Sequence, residues 1–483
     1  MNNTEVATAA KTDPAGKGRL RRTLMRVFPF VMATVIWFWP VPAGLTPQAW
    51  HLFAVFITAI VSVLLGVFPL LTSTMLAAGA VVLTNTVSPA KAFSGFANTS
   101  VLLVVIAFLV AQAVVKSGLG RRISLFMVSL FGRSSLGLAY SIVITDAAIA
   151  PAFPSNTARG GVLYPIVLSV AQGSGSHPDD PNGRRLGGYL MFCAMASLAI
   201  SSALWMTATS ANPIAIQVAR DYGVDVGFGK WLIASSVPAL LIIGLLPWLL
   251  ARLFNPGVKA TPEAPAAARK ALAELGPLSR EEWITAVAFI LMVSGWIFAD
   301  KLGMNVTSIA FAGLGLLLMT GVLTLQDIAT QGDTLATFLW LAVLFALSGD
   351  LNELGFMGYV GQHLASYMGG LSWPFTYVAL VLLYVAIHYM FVSQSSQVLA
   401  LLGVFLDVGV RGGVPANLMA FSLFFASSYF SVITPQGGSQ NVIFVGSGYL
   451  TQRELYRLGL LTTLFFLAVF LTVGTGWLML VAR

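Results

Sequence analysis

Apolar residues run along this chain in long blocks separated by short polar breaks. Blocks at 24–44, 49–70, 72–88, 98–118, 187–206, 229–254, 283–300, 305–323, 336–349, 417–432 and 456–481 predict eleven helices, because apolar runs of roughly 18–25 residues match the ~30 Å of hydrocarbon in a bilayer. Two further apolar regions, 135–172 and 374–410, are interrupted by small polar clusters, Ser155-Asn156-Thr157 in the first and Ser393-Gln394-Ser395-Ser396-Gln397 in the second. Neither half of either region comfortably spans a bilayer alone. Each pair of halves therefore reads as a re-entrant hairpin whose polar tip stops near the midplane. The blocks at 187–206 and 417–432 are followed by Thr207-Ala208-Thr209-Ser210-Ala211-Asn212-Pro213 and by Thr434-Pro435-Gln436-Gly437-Gly438-Ser439-Gln440-Asn441. Both read as helices that unwind at membrane depth.

Composition narrows the class. Of 483 residues, 57% are hydrophobic and 9% charged, against roughly 25% charged in a soluble domain, which excludes a soluble enzyme. The formal net charge of +8 would point to nucleic acid only if the basic residues clustered on a solvated domain, and they do not. The one cysteine, Cys193, lies inside an apolar block. Neither an internal disulfide nor a multi-cysteine metal site is available.

Lysine and arginine sort by side of the membrane. With a cytoplasmic N-terminus and hairpins that do not cross, eighteen fall inside: Lys11, Lys17, Arg19, Arg21, Arg22, Arg26, Arg121, Arg122, Arg133, Arg184, Arg185, Arg252, Lys259, Arg269, Lys270, Arg280, Arg453 and Arg457. Six fall outside: Lys91, Arg220, Lys230, Lys301, Arg411 and Arg483. The asymmetry follows the positive-inside rule and leaves Lys116 and Arg159 near or within the membrane. Glu5 and Asp13, and a full-length span with no small-residue cleavage site after them, argue against a transit or signal peptide. The expected plan is a basic cytoplasmic tail (1–26), a first transmembrane helix (27–48), a first repeat (49–254), a cytoplasmic linker (255–282) and a second repeat (283–483) with its C-terminus outside.

The two repeats correspond. Gly118 precedes Ser155 by 37 positions and Gly355 precedes Ser393 by 38, and five crossings in each half turn the second upside down relative to the first. Inverted repeats with paired broken helices mark secondary transporters. The predicted fold class is an all-α polytopic membrane protein, with about eleven transmembrane helices and two re-entrant hairpins in inverted repeats.

A helix that resumes at membrane depth presents free N–H groups and the positive end of its dipole, which suits an anion. Asn212-Pro213 is an N-cap followed by proline at the first helical position, with Thr209 and Ser210 beside it. Asn441 is a cap in the other break, where Thr434 and Pro435 stand. Asn156 or Thr157 can cap the run after the first tip, and Ser395 or Ser396 the run after the second. Four such ends predict a site for carboxylates or similar oxyanions, held by short neutral donors. Arg159 lies two residues past the first tip, where a charge costs at least ~2.5 kcal/mol unless it faces a cavity or a partner. It reads as a fixed cation near the anion site, positioned by Asp146; the alternative is that the two merely close the hairpin. His388 reads as a packed hydrogen-bonding residue rather than a proton-linked switch, and Asp350 and Glu353 as solvated. Asp146, Arg159 and His388 form no catalytic set, and no HExxH, GxSxG or phosphate loop occurs, so neither an enzyme nor a cofactor or metal is expected.

The string Pro154-Ser155-Asn156-Thr157-Ala158-Arg159-Gly160-Gly161, followed by Tyr164-Pro165-Ile166, resembles the first hairpin of the divalent anion:sodium symporter superfamily. It is most similar to the branch of citrate/succinate antiporters and 2-oxoglutarate/malate translocators. The resemblance continues through Thr209-Ser210-Ala211-Asn212-Pro213, Ser393-Gln394-Ser395 and Val445-Gly446-Ser447-Gly448-Tyr449. It implies a homodimer with a fixed scaffold domain and a mobile transport domain that carries both tips in an elevator-type movement. It also implies substrate-carboxylate contacts from Ser155, Asn156 and Thr157, and from Ser393, Gln394 and Ser395. Sodium-coupled members usually repeat Ser-Asn-Thr at the second tip. The departure here, with the charge of Arg159, favours obligate exchange without sodium.

The expected protein is thus a bacterial inner-membrane antiporter of di- and tricarboxylates, drawn from 2-oxoglutarate, malate, succinate and citrate, with lipid and no nucleic acid as partner. Its expected substrate-binding residues are Ser155, Asn156, Thr157, Arg159, Thr209, Ser210, Asn212, Ser393, Gln394, Ser395, Thr434 and Pro435. Two alternatives stand beside it: sodium-coupled uptake of the same anions or of sulfate, and an anion channel, since helix ends and basic rings serve channels too.

Overall fold

The computed structural model describes residues 17–180, 183–367, 370–391 and 393–482, with side chains from Met25 onward. Most of the basic tail and the C-terminal Arg483 lie outside the described residues. All described regular structure is helical except one isolated bridge, Ser134 to Ala260. The first half holds α1 (Lys17–Phe38), α2 (Pro47–Leu64), α3 (Leu70–Leu83), α4 (Thr99–Ser117), α5 (Leu119–Phe131), α6 (Ser135–Ile149), α7 (Asn156–Gly173), α8 (Arg184–Leu204), α9 (Ala211–Arg220) and α10 (Phe228–Phe254). After α11 (Glu263–Leu275) come α12 (Arg280–Leu302), α13 (Val306–Met319), α14 (Gly332–Glu353), α15 (Phe356–Tyr367), α16 (Trp373–His388), α17 (Gln394–Arg411), α18 (Ala416–Tyr429), α19 (Asn441–Val445) and α20 (Gln452–Val469), the last continuing through a π turn to Val481.

Local chemistry sets the boundaries. Asn98 Oδ1 accepts from the amides of Ser100 and Val101, and Asn305 Oδ1 from those of Thr307 and Ser308, so α4 and α13 start at side-chain caps. Thr46 caps α2 just ahead of Pro47. The corresponding helices α4 and α14 are both followed by a left-handed glycine, Gly118 at φ 78° and Gly355 at φ 80°, a conformation that costs an L side chain energy. The chain then turns sharply into a shorter helix, α5 or α15.

Among the described residues eight helices are long and apolar enough to cross a membrane, against eleven expected. Of the eleven blocks, those of α1, α3, α13 and α18 give apolar helices shorter than that measure, because turns consume the ends of the apolar blocks; α16, in the second hairpin, is likewise short. One of the eight is Ser135–Ala152, so the first arm of the first hairpin is long enough to span, contrary to the expectation that neither half would be. The 255–282 segment, expected as a linker, carries α11, which packs on α5. It is held there by Thr261, whose amide donates to the Arg133 carbonyl at 3.0 Å and whose hydroxyl donates to that of Gly132 at 2.7 Å. Arg122, on α5, pairs with Glu282 at 2.6 Å.

Ion pairs fix the relative direction of the two halves. Lys91, just ahead of α4, pairs with Glu353 at the end of α14, while Lys116 at the end of α4 pairs at 2.6 Å with Asp327, just ahead of α14. The equivalent helices therefore run antiparallel, as inversion requires. Lys116 and the Thr324 groups hold the Asp327 carboxyl down to about 2. Arg184–Glu454 at 2.9 Å joins two further segments, both expected on the inside. At the centre lie α8, whose spanning window is wholly buried, and its counterpart α18, buried from Leu418 to Tyr429. They pack against each other, and the tips gather around them.

Candidate functional site

Both hairpins turn at a serine. Ser155 Oγ accepts from the Ala158 amide at 3.3 Å to start α7, and Ser393 Oγ accepts from the Ser396 amide at 3.4 Å to start α17. The tips touch: Asn156 Nδ2 donates to Gln394 Oε1 at 3.3 Å. Each tip also bonds the unwound segment of the other half, Ser395 to Ser210 at 2.9 Å and Thr157 to Ser439 at 2.6 Å. These two bonds are equivalent under the repeat symmetry.

A cavity of about 180 Å³ opens where the tips meet. Of the twelve residues expected at the site, Ser155, Asn156, Thr209, Ser210, Ser393, Gln394 and Ser395 line it. Ser439, Pro154, Phe108, Thr337 and Trp340 also line it and were not predicted. Ser439 stood in the polar string at the second break and was legible there. Thr337 and Trp340 come from α14 and Phe108 from α4, inside apolar blocks where nothing distinguishes a cavity wall from core. Among the described residues no charged side chain lines the cavity. Gln394 Nε2 is a buried donor with no hydrogen-bond partner among the described residues, and the N-termini of α7 and α17 point their dipoles at the same place.

Five expected residues stand elsewhere. Arg159 is fully buried behind the tip: its Nε lies 2.8 Å from Asp146 Oδ1, and its Nη2 donates to Asn156 Oδ1 and Leu198 O at 2.9 Å and to the Ser201 and Ser202 hydroxyls at 3.0 Å. It reaches the cavity only through the Asn156 amide. The expected pairing with Asp146 is present, but the guanidinium lies behind the tip and does not line the cavity, because a buried cation at this depth needs its partners. Asn212 donates to the carbonyls of Ser202 at 2.8 Å and Trp205 at 3.1 Å, ten and seven residues back. Asn441 does the same to Ser431 at 2.6 Å and Thr434 at 2.9 Å, with the same two offsets. Both asparagines staple the carbonyls that unwinding frees. Thr434 and Pro435 shape the second break, and Thr157 serves Ser439.

Behind the second tip, Gln397 occupies the place of Arg159. Its Nε2 donates to Tyr384 O at 3.0 Å and its Oε1 faces His388 Nδ1 at 2.5 Å, while His388 Nε2 lies 2.8 Å from Gly437 O. His388 is a packed hydrogen-bonding residue, with an oxygen facing each of its ring nitrogens. Asp350, read as solvated, is buried, and Glu353 is held by Lys91. Among the described residues no group of three or more His, Cys, Asp or Glu side chains is placed to hold a metal.

Paired broken helices around a neutral polar cavity, within an all-helical bundle of membrane-length helices, define a polytopic membrane protein. The chain belongs to the family described as sodium:sulfate symporter transmembrane region, of the divalent anion:sodium symporters, which matches residues 20–483. It is 37% identical to the chloroplastic dicarboxylate transporter 1 of Arabidopsis thaliana, over 92% of this chain and 80% of that protein. It is 31% identical to the citrate/succinate antiporter of Escherichia coli (strain K12), over 92% of this chain and 96% of that one. The solved YdaH transporter of Alcanivorax borkumensis shares the fold at a TM-score of 0.52 and 19% identity, covering 81% of this chain and 86% of that one.

Proposed function

We propose that this protein exchanges di- and tricarboxylates across a bacterial inner membrane, as a homodimer whose transport domain carries both tips past a fixed scaffold. The observation that carries the reading is the meeting of the tips: short neutral donors and two helix N-termini converge on one cavity, with a guanidinium one amide behind it. Neutral donors and dipoles suit carboxylates that must leave as well as bind. Relatives named as dicarboxylate transporter and citrate/succinate antiporter support the substrate class. Phe108, Thr337 and Trp340 face the tips from α4 and α14, the helices this reading assigns to the scaffold. The N-terminus is cytoplasmic and the C-terminus outside.

Exchange without sodium follows from what stands behind the tips. Arg159 polarises Asn156 from within the protein, and behind the second tip Gln397 and His388 bond each other and the carbonyls of Tyr384 and Gly437, so the polar groups behind both tips are satisfied by the protein itself. The pairing with Asp146 makes Arg159 one end of a directed dipole rather than a free charge. Proteoliposomes loaded with succinate and offered labelled malate, 2-oxoglutarate, succinate and citrate test the substrate class. Uptake should need the internal anion and proceed equally in choline and sodium buffers. Robust sodium-driven uptake into empty vesicles would return the assignment to the symport in the family's description.

A further inference from the structure

Away from the tips, a cavity of about 720 Å³ lies between the N-terminus of α6, the last turns of α10 and the segment 255–259. Its charged lining residues are Arg252 and Lys259, with no acidic side chain among them, and neither cation forms an ion pair among the described residues. The Arg252 guanidinium is held 5.1 Å from the centre of the Trp248 ring, a cation–π contact that fixes it at the cavity wall. The Ser135 amide donates to the Lys259 carbonyl at 3.2 Å, tying the segment to the head of α6. On the same helix, α10 leaves Ile233, Leu240, Leu245 and Trp248 exposed, which in a spanning helix means toward acyl chains. An apolar stripe that ends in an interfacial tryptophan and two unpaired cations complements an amphipathic ligand with an anionic head. A free inorganic anion would match the cations and leave the stripe unused.

We propose that this cavity binds the headgroup of an anionic phospholipid, its phosphate on Arg252 and Lys259 and its acyl chains along α10. The bound lipid clips the base of the first hairpin to α10 and to the 255–259 segment. Thermal unfolding of the full-length protein in neutral detergent reads this without any transport. Dioctanoyl phosphatidylglycerol should raise the midpoint, while dioctanoyl phosphatidylcholine and inorganic phosphate should not. The variant Arg252→Gln/Lys259→Gln should need about fivefold more phosphatidylglycerol for each charge removed, and Arg269→Gln/Lys270→Gln on α11 should titrate like wild type. Should the double variant fail to fold, Lys259→Gln alone, exposed and outside the helices, carries the same test. Equal stabilisation by phosphatidylcholine or by inorganic phosphate, an unshifted titration of the Lys259 variant, or an equal loss in the α11 control would each overturn the proposal.

Discussion

Three residues past Asn156 stands Arg159, paired with Asp146; three residues past Gln394 stands Gln397, joined to His388 and to the Tyr384 carbonyl. In front of these, the two tips use the same serine cap, the same bond to the opposite break and the same asparagine staple. The backbone machinery is duplicated, whereas the support behind it is an ion pair on one side and a network without a carboxylate on the other. Geometry at a helix break admits few solutions, so both repeats keep it. The filling behind a tip needs only volume and satisfied polar groups, and it is there that the halves diverge.

The largest effect should come from breaking the charged side alone. Arg159→Gln leaves the Asp146 carboxylate buried without its cation, a loss of about 3–5 kcal/mol, and the folded yield in detergent should fall sharply. Asp146→Asn/Arg159→Gln removes both charges and should recover most of that stability while exchange stays low. Recovery of full exchange by the double variant would show that the charge behind Asn156 is purely structural.

The staples offer the sharpest test of duplication. Asn212→Ala and Asn441→Ala each strip two carbonyls of a buried donor, a cost of about 1–3 kcal/mol for a buried group left unsatisfied. Because the two geometries match, thermal midpoints should fall by similar amounts. A drop confined to one variant would mean that the breaks are not equivalent.

At the tips themselves the comparison should reappear as function. Asn156→Ala removes a cavity donor and disconnects Arg159, whereas Ser393→Ala removes a cavity hydroxyl and the cap it gives α17, with no charged group behind it. Both should lower counterflow without lowering membrane expression, with Asn156→Ala losing about tenfold more, one hydrogen bond to a charged group being worth roughly 1.5–3 kcal/mol. Equal losses would place Arg159 outside the binding energetics.

How much of this was legible follows the same division. The breaks, the tips and their convergence were readable, because polar strings inside apolar blocks have few physical explanations. The direction of Arg159 was not: a guanidinium two residues past a tip can face forward or back, and the choice depends on Ser201, Ser202 and Leu198 of α8, which carry no signal in sequence. Asn212 was read as a cap facing substrate, but it is spent on the carbonyls freed at the end of α8. Helices α5, α11 and α15 escaped notice because they are short and mixed in polarity, and Trp340 because an aromatic in an apolar block is ordinarily packing.

The smallest expected effect is also the one that bears most directly on the difference between the tips. Gln394 is one methylene longer than Asn156, and that length lets its Oε1 meet Asn156 Nδ2 across the cavity. In Gln394→Asn the side chain is too short to span the gap, so the cross-tip bond is lost and the cavity grows by about one methylene. The stability cost should stay near 1 kcal/mol, because both amides line a polar cavity and solvent can replace a neutral hydrogen bond there. The freed Asn156 Nδ2 becomes available to an anion, and the added room favours the bulkier of two substrates. Counterflow competition between citrate and succinate should therefore shift several-fold toward citrate, with the thermal midpoint almost unmoved. An unchanged ratio would mean that the tip-to-tip bond does not set the size of the site, and that the walls from α4 and α14, Phe108 and Trp340, set it instead.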